Sequence, residues 1–256
     1  MTDKEKYSQE MPKLLAEWKN AAHIYDRQNN PRADIFISDG IAHPENWFEQ
    51  EIRPLFVLKE AYDNSGEHKD WDEVKWFLTN GEIGSGNKHG KIKRTTWQTL
   101  CRWSSYLFGN SYDIEPTWEN ESLRKIALIN IKKYGGDKKS SDNDLRKHAE
   151  KHGDFIYKQI NLIKPTIIIC GYTGWLLDIV WEKIPEFNGG IRERKNQING
   201  RVYNVPGMDN VKLIDFWHPS AWSTKVDLVE AFKNDVDIAK GFLGNSNETN
   251  ESKDDN

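Results

Sequence analysis

Residues 166–175 read TIIICGYTGW: a run of β-inclined apolar residues enters a glycine, and a short polar turn leads into the helical stretch WLLDIVWEKI. An apolar run without alternation belongs to a strand buried on both faces, the pattern of a parallel sheet covered by helices. Three more runs of strand length fit the same description: RPLFVLKEAYD (53–63), LRKIALINIKK (123–133) and VKLIDFW (211–217). Helical segments separate them. WDEVKWFLTN (71–80) is ended by Gly81, and TTWQTLCRWSSYLFG (95–109) has threonines to cap its start and Gly109 to stop it. GDFIYKQINLIKP (153–165) is stopped by its proline, and STKVDLVEAFKNDVDIAKGFLG (223–244) closes the chain. Strands alternating with helices predict an α/β fold: a single-domain three-layer α/β/α sandwich around a central, mostly parallel four-stranded sheet. In such sheets ligands bind at the carboxyl ends of the strands.

The domain is expected over 1–243, with a helical extension at about 1–45 that includes MPKLLAEWKNAAHIYDR, and a hairpin near NQINGRVYNV (196–205). The 256 residues suffice for a sizeable core, and 11 tryptophans point to an aromatic interior or binding surface. No stretch approaches the length of a membrane span and MTDKEKYSQEMPK has no apolar signal core, so a cytoplasmic, membrane-free protein is expected. Cys101 and Cys170 belong to no paired motif, which argues against structural zinc or a four-cysteine cluster; no metal or cofactor is expected. The net charge of -4 argues against a duplex-coating protein, but Glu248, Glu251, Asp254 and Asp255 in the acidic tail, 244–256, supply most of it. Basic residues cluster in NKHGKIKR (87–94), KKYGGDKK (132–139) and IRERK (191–195), each of which alone is commonly a solvated surface.

The four strands end in KEAYD (59–63), NIKKYGG (130–136), GYTG (171–174) and HPSAWS (218–223). A lone histidine near a strand end usually satisfies a backbone partner. A carboxylate, an amide, a glycine turn and an imidazole at four successive strand ends make a constellation instead.

In that order these segments resemble the uracil-DNA glycosylase superfamily over roughly residues 50–240. FVLKEAYD is similar to the first-strand loop that holds the attacking water, and ALINIKK to the strand whose Asn reads the base. KPTIIICGYTG is similar to the third strand and its glycine turn, and HPSAWS to the second signature loop. The resemblance implies a monofunctional DNA glycosylase that breaks an N-glycosidic bond with water, in base excision or in defence against foreign DNA carrying altered bases. Such cleavage leaves negative charge on the base and oxocarbenium character on the sugar. His218 would donate to the base O2 as a neutral imidazole, its other nitrogen fixed by the backbone. Glu60 would orient the water and face the cation, with Asp63 the other carboxylate in reach. Asn130 would read a pyrimidine edge, uracil in one amide orientation and cytosine in the other.

The loop departs from the superfamily in several places. Lys59 replaces the usual Gly and Tyr62 the usual Pro; Ala61 follows Glu60 as in the iron-sulfur branch, whose cluster cysteines are missing here. Asp63 stands where the uracil-specific branch has an aromatic that excludes C5 substituents, so bulkier modified pyrimidines stay open. Ala61, Tyr62 and Trp97 are expected around the base, Trp97 as a stacking platform or equally as a core aromatic. Trp222 is the candidate wedge for the duplex. Lys59, Ser220, Ser223, Lys132, Lys133, Lys93 and Arg94 are the candidate DNA contacts. Two competing readings remain: a catalytically inactive member kept as a nucleic-acid-binding or protein-binding module, and a hydrolase of free nucleosides. A monomer acting on single- or double-stranded DNA is expected.

Overall fold

The computed structural model describes residues 1–26, 35–62, 69–83, 91–92, 94–136, 141–187, 189–221 and 226–244, without the side chains of 23–26, 62, 80–83, 135–136, 221, 226 and 244. In chain order the elements are α1 (Asp3–Asp26), β1 (Ile37–Ser38), β2 (Gly40–Ile41), α2 (Pro44–Trp47), β3 (Pro54–Tyr62), β4 (Trp71–Asp72) and α3 (Glu73–Ile83). There follow α4 (Thr95–Leu107), β5 (Ala127–Gly136), α5 (Asp142–Ile163), β6 (Ile167–Gly171), α6 (Gly174–Glu182), β7 (Gln197–Asn199), β8 (Val202–Asn204), β9 (Lys212–Phe216) and α7 (Val226–Gly244).

The sheet is wider than expected. Four parallel strands, in spatial order β5-β3-β6-β9, form its centre, as the apolar runs predict. Three short antiparallel strands complete a seven-stranded sheet in the order β2-β5-β3-β6-β9-β8-β7. The added strands are two or three residues long, too short to leave an apolar pattern in the sequence. Among them β7 and β8 form the expected hairpin, turned at Gly200 with φ of +49°.

Alternate side chains of the central strands feed two cores. Leu55, Val57, Ile129, Ile131, Ile168 and Cys170 join α1, α5 and α6 on one face. Phe56, Leu58, Leu128, Ile167 and Ile169 join α3, α4 and α7 on the other. A mostly parallel sheet between two helical layers is the three-layer sandwich. The helix α1 is part of this body. Its residues Tyr7, Met11, Leu14, Trp18 and Ala22, three or four apart, are buried in the first core, and the Trp18 ring stacks on Phe155 of α5 at 5.5 Å.

Three helix boundaries and one cap differ from the sequence expectation. Trp71 and Asp72 pair with β1 before α3 begins, and α3 runs through Gly81, because glycine inside a helix costs about 1 kcal/mol and does not forbid it. No threonine caps α4, whose N-cap is Arg94; Gly109, at φ +78°, does follow its end. The helix α5 begins eleven residues before GDFIYKQINLIKP, capped by Ser141 accepting from the Asp144 N–H at 3.3 Å. It stops with Lys164 in the left-handed region (φ +51°) because Pro165 follows.

One ion pair is sealed inside this fold. Asp39 and Lys133 have fully buried side chains, joined through both Asp39 oxygens, and Gln159 Nε2 of α5 donates to Asp39 Oδ1 at 2.9 Å. Deleting one member leaves the other charge stranded. Lys133→Met is expected to lower the unfolding free energy by about 3–5 kcal/mol in urea melts, and adding Asp39→Asn to recover a large part of it.

Candidate active site at the carboxyl ends of the strands

From β3 the chain leaves toward the α3 and α4 layer, and from β6 it leaves through α6 on the opposite layer. Neighbouring parallel strands whose connections part in this way open a crevice between their carboxyl ends. Lys59 and Glu60 of β3, with Gly171 and the turn after β6, lie at this place. The lack of a side chain at 171 lets its neighbours close in: a Cβ would stand 2.8 Å from Leu58 Cδ2 and 3.0 Å from Pro219 Cδ, so the Leu58 end and the proline turn would both have to give way. The loop after β9 can therefore lean over β6 toward β3.

That loop carries His218. Its Nδ1 accepts the Ser220 backbone N–H at 3.1 Å and lies 2.7 Å from the Ser220 hydroxyl. An Nδ1 that accepts must be unprotonated, so the proton of the neutral ring sits on Nε2. Burial, assisted by the Lys59 charge, pushes the imidazole down to about 4, so the neutral form prevails at physiological pH. From α4, the Thr99 hydroxyl lies behind the turn and shares its one proton between the Pro219 carbonyl at 3.1 Å and the Thr95 carbonyl at 3.0 Å. The rigid Pro-Ser turn thus holds an Nε2–H donor in a fixed direction.

Glu60 and Lys132 are directly paired across β3 and β5, and their side chains form a buried ion pair at 2.8 Å. Lys132 Nζ also meets Asp144 of α5 at 2.7 Å, and these two carboxylates hold its ammonium above the usual lysine range against burial. Lys59 extends over the Tyr172 ring, 4.5 Å from its centroid, and lies 3.4 Å from Asp142 Oδ1. Tyr172 is 48% exposed although its backbone is left-handed, at φ +61°. Its N–H donates to the Phe216 carbonyl at 2.7 Å, which ties the turn after β6 to the end of β9.

Asn130 is buried on the α3 side of β5. Its backbone N–H donates to Asp39 Oδ2 at 2.8 Å and its Nδ2 to Glu73 Oε2 of α3. Burial foremost, then the Asp39 charge, pushes the Glu73 carboxyl up to about 7. Burial likewise drives the Asp39 carboxyl up and the Lys133 ammonium down, each opposed by the other. Between Asn130 and the His218 turn lie β3 and β6, so at ordinary strand spacing the gap is about 14 Å before the turn leans inward.

Several expected contacts belong elsewhere. Lys133 is internal, paired with Asp39 just before β2, and Lys132 is buried between Glu60 of β3 and Asp144 of α5, so neither offers a surface cation to phosphate. Trp97 is 4% exposed, packed with Phe77, Trp76 and Trp118, so it is a core aromatic and not an open platform. Ala61 packs with Ile35 and Ile37. Arg94 is exposed, its guanidinium 4.9 Å from the Trp76 ring centroid. Of the IRERK cluster, Arg192 is held by Asp178 at 2.7 Å and Asp215 at 2.6 Å. Asp63, Lys93, Trp222, Ser223 and the Tyr62 side chain lie outside the described residues.

Two depressions open elsewhere, one of about 650 Å³ between α1 and the β4–α3 corner and one of about 340 Å³ between α1 and α5; neither is lined by His218 or Asn130. Among the described residues no group of three or more His, Cys, Asp or Glu could hold a metal ion, and no helix is long and apolar enough to cross a membrane. Glu73, Asp39 and Tyr172 were not singled out from sequence. Only Tyr172 left a mark there, a large aromatic directly after a strand-ending glycine. Models of known protein families give no match to this chain, and no curated protein matches it.

In a histidine-resolved NMR titration, His218 is expected to protonate near pH 4, and Lys59→Gln to raise that midpoint. Because the folded value lies below the unfolded one of about 6.5, the unfolded chain binds more protons between the two. The stability that His218 contributes is therefore full above about pH 6.5 and lost as pH falls toward 4. His218→Gln should remove that part of the acid sensitivity in urea melts.

Proposed function

We propose that the chain is a monofunctional DNA glycosylase that hydrolyses the N-glycosidic bond of uracil or a modified pyrimidine, with Glu60, Asn130 and His218 as its working residues. The observation that carries this reading is the Ser220 N–H held on His218 Nδ1 at 3.1 Å, a contact that assigns the ring proton of the neutral imidazole to Nε2. A fixed neutral donor suits a site where negative charge develops on a leaving base. It stabilises the anion in the transition state without having to be reoriented. An imidazole held neutral also transfers no proton to the base before the bond opens.

Asn130 would hold the flipped pyrimidine by a donor and an acceptor on one amide. Glu60, anchored through Oε2 on Lys132, would orient the water with its other oxygen and face the sugar as positive charge forms. Atoms balance simply: the C1′–N bond breaks with its electron pair leaving on the base, water adds at C1′, and its proton is lost to solvent or to Glu60. Lys59 and Tyr172, stacked on each other beside the site, would meet a phosphate and a base ring. The wider setting, repair of altered bases or defence against DNA that carries them, follows from which base is accepted.

The Glu60–Lys132 pair also favours a second reading, in which the carboxylate is structural and the protein a nucleic-acid-binding module. End-labelled single-stranded and duplex oligonucleotides, each carrying one uracil, hypoxanthine, thymine mismatch or 5-substituted cytosine, distinguish the two after alkaline cleavage. A glycosylase should yield abasic product that His218→Ala reduces about 10²–10³-fold and Glu60→Gln at least about 10²-fold, with folding unchanged by circular dichroism. Salt-sensitive binding without product on any base would establish the module instead.

A further inference from the structure

The Asn130 amide has its two ends in different company. Its main chain cannot shift to suit a ligand, since Asp39 Oδ2 holds its N–H at 2.8 Å and Asp39 is locked in turn by Lys133 and Gln159. Rotation of the carboxamide is the remaining freedom, and Glu73 Oε2 accepts from Nδ2 at one end. Resting on the glycosylase reading, we propose that Glu73, outside the catalytic set, determines base specificity by fixing which end of the Asn130 carboxamide faces the helix and which faces the crevice.

The two amide orientations have the same shape and differ only in hydrogen-bond sense. An ionised Glu73 accepts and cannot donate, so Nδ2 must face it. The free Nδ2 hydrogen and Oδ1 then present a donor and an acceptor, which match O4 and N3–H of uracil or its 5-substituted relatives. A protonated Glu73 can donate to Oδ1, and the turned amide is satisfied as well. Its reversed pattern matches the exocyclic amine and bare N3 of a cytosine. Asp39 and Lys133, together with the adjacent Asp72, face Glu73 from the sheet edge, and Asn130 faces it from β5. Buried as it is, the carboxyl changes state at about 7, so the choice between pyrimidine classes should vary with pH in the neutral range.

The test pairs a structural and a catalytic readout on the full chain. The Asn130 side-chain amide, assigned in ¹⁵N spectra through Asn130→Asp, should titrate with a midpoint near 7 in the wild type and be flat in Glu73→Gln, since glutamine satisfies either orientation at every pH. An amide signal unchanged between pH 5.5 and 8.5 would overturn the proposal. On oligonucleotides carrying one uracil or one 5-methylcytosine, the uracil-to-cytosine rate ratio should rise by up to about 100-fold from pH 6 to 8, about tenfold from each substrate as Glu73 ionises around 7, and lose that dependence in Glu73→Gln. A variant that slows both substrates equally at all pH values would reduce Glu73 to a packing role. A wild type inactive on every base would remove the glycosylase reading, and the amide titration would still decide whether Glu73 orients Asn130.

Discussion

A single buried carboxylate ties the sheet to the place where chemistry is proposed. Asp39 sits just before β2 and takes bonds from Lys133, from Gln159 of α5 and from the backbone of Asn130. Two charges in a dry interior are costly by themselves, and mutual attraction with added hydrogen bonds offsets that cost only when the geometry is fixed. The same fixing defines the edge of β5, the seat of α5 and the height of Asn130. Lys133 also lies 4.8 Å from the centroid of the Trp18 ring, which brings α1 into the arrangement. Removing the pair would therefore loosen three elements and one candidate base reader together.

The crevice inherits two contrasting electrostatic regimes from the strands that frame it. On the β3 and β5 side, ions are paired: Glu60 and Lys132 are buried together, and Lys132 and Lys59 reach the exposed carboxylates of Asp144 and Asp142. On the β9 side the principal group is a neutral imidazole set by its own loop. A substrate bridging the two sides would meet fixed charge near one edge and a fixed dipole near the other. In the proposed reaction, such pre-set polarity would need no reorganisation as charge moves from sugar to base.

Much of this was legible in the sequence because burial on both faces leaves unbroken apolar runs. Ile167 to Cys170 and Leu55 to Leu58 could hardly belong anywhere except a covered sheet, and the polar residues that end such runs had to emerge along one edge. His218 was legible for a local reason: proline and serine directly after it dictate the turn that sets its tautomer. Lys132 and Lys133 misled because sequence records charge and not direction. Their partners, Asp144 and Asp39, are 12 and 94 residues away and leave no local trace. Glu73 was hidden likewise, its partner 57 residues along the chain. The edge strands escaped notice because two or three residues cannot show a period.

Gly171 places a limit on how this chain can drift. Helix surfaces such as the outer side of α7 can exchange one polar residue for another with little effect. At 171 even one added carbon would press on Leu58 and on Pro219 together, one in the core and the other in the loop beside His218. A change there would press on the imidazole's loop without touching the ring, and although the end of Leu58 can yield, the proline ring has no rotamer to give up. Lineages that keep the chemistry should therefore hold this position bare while the surroundings vary.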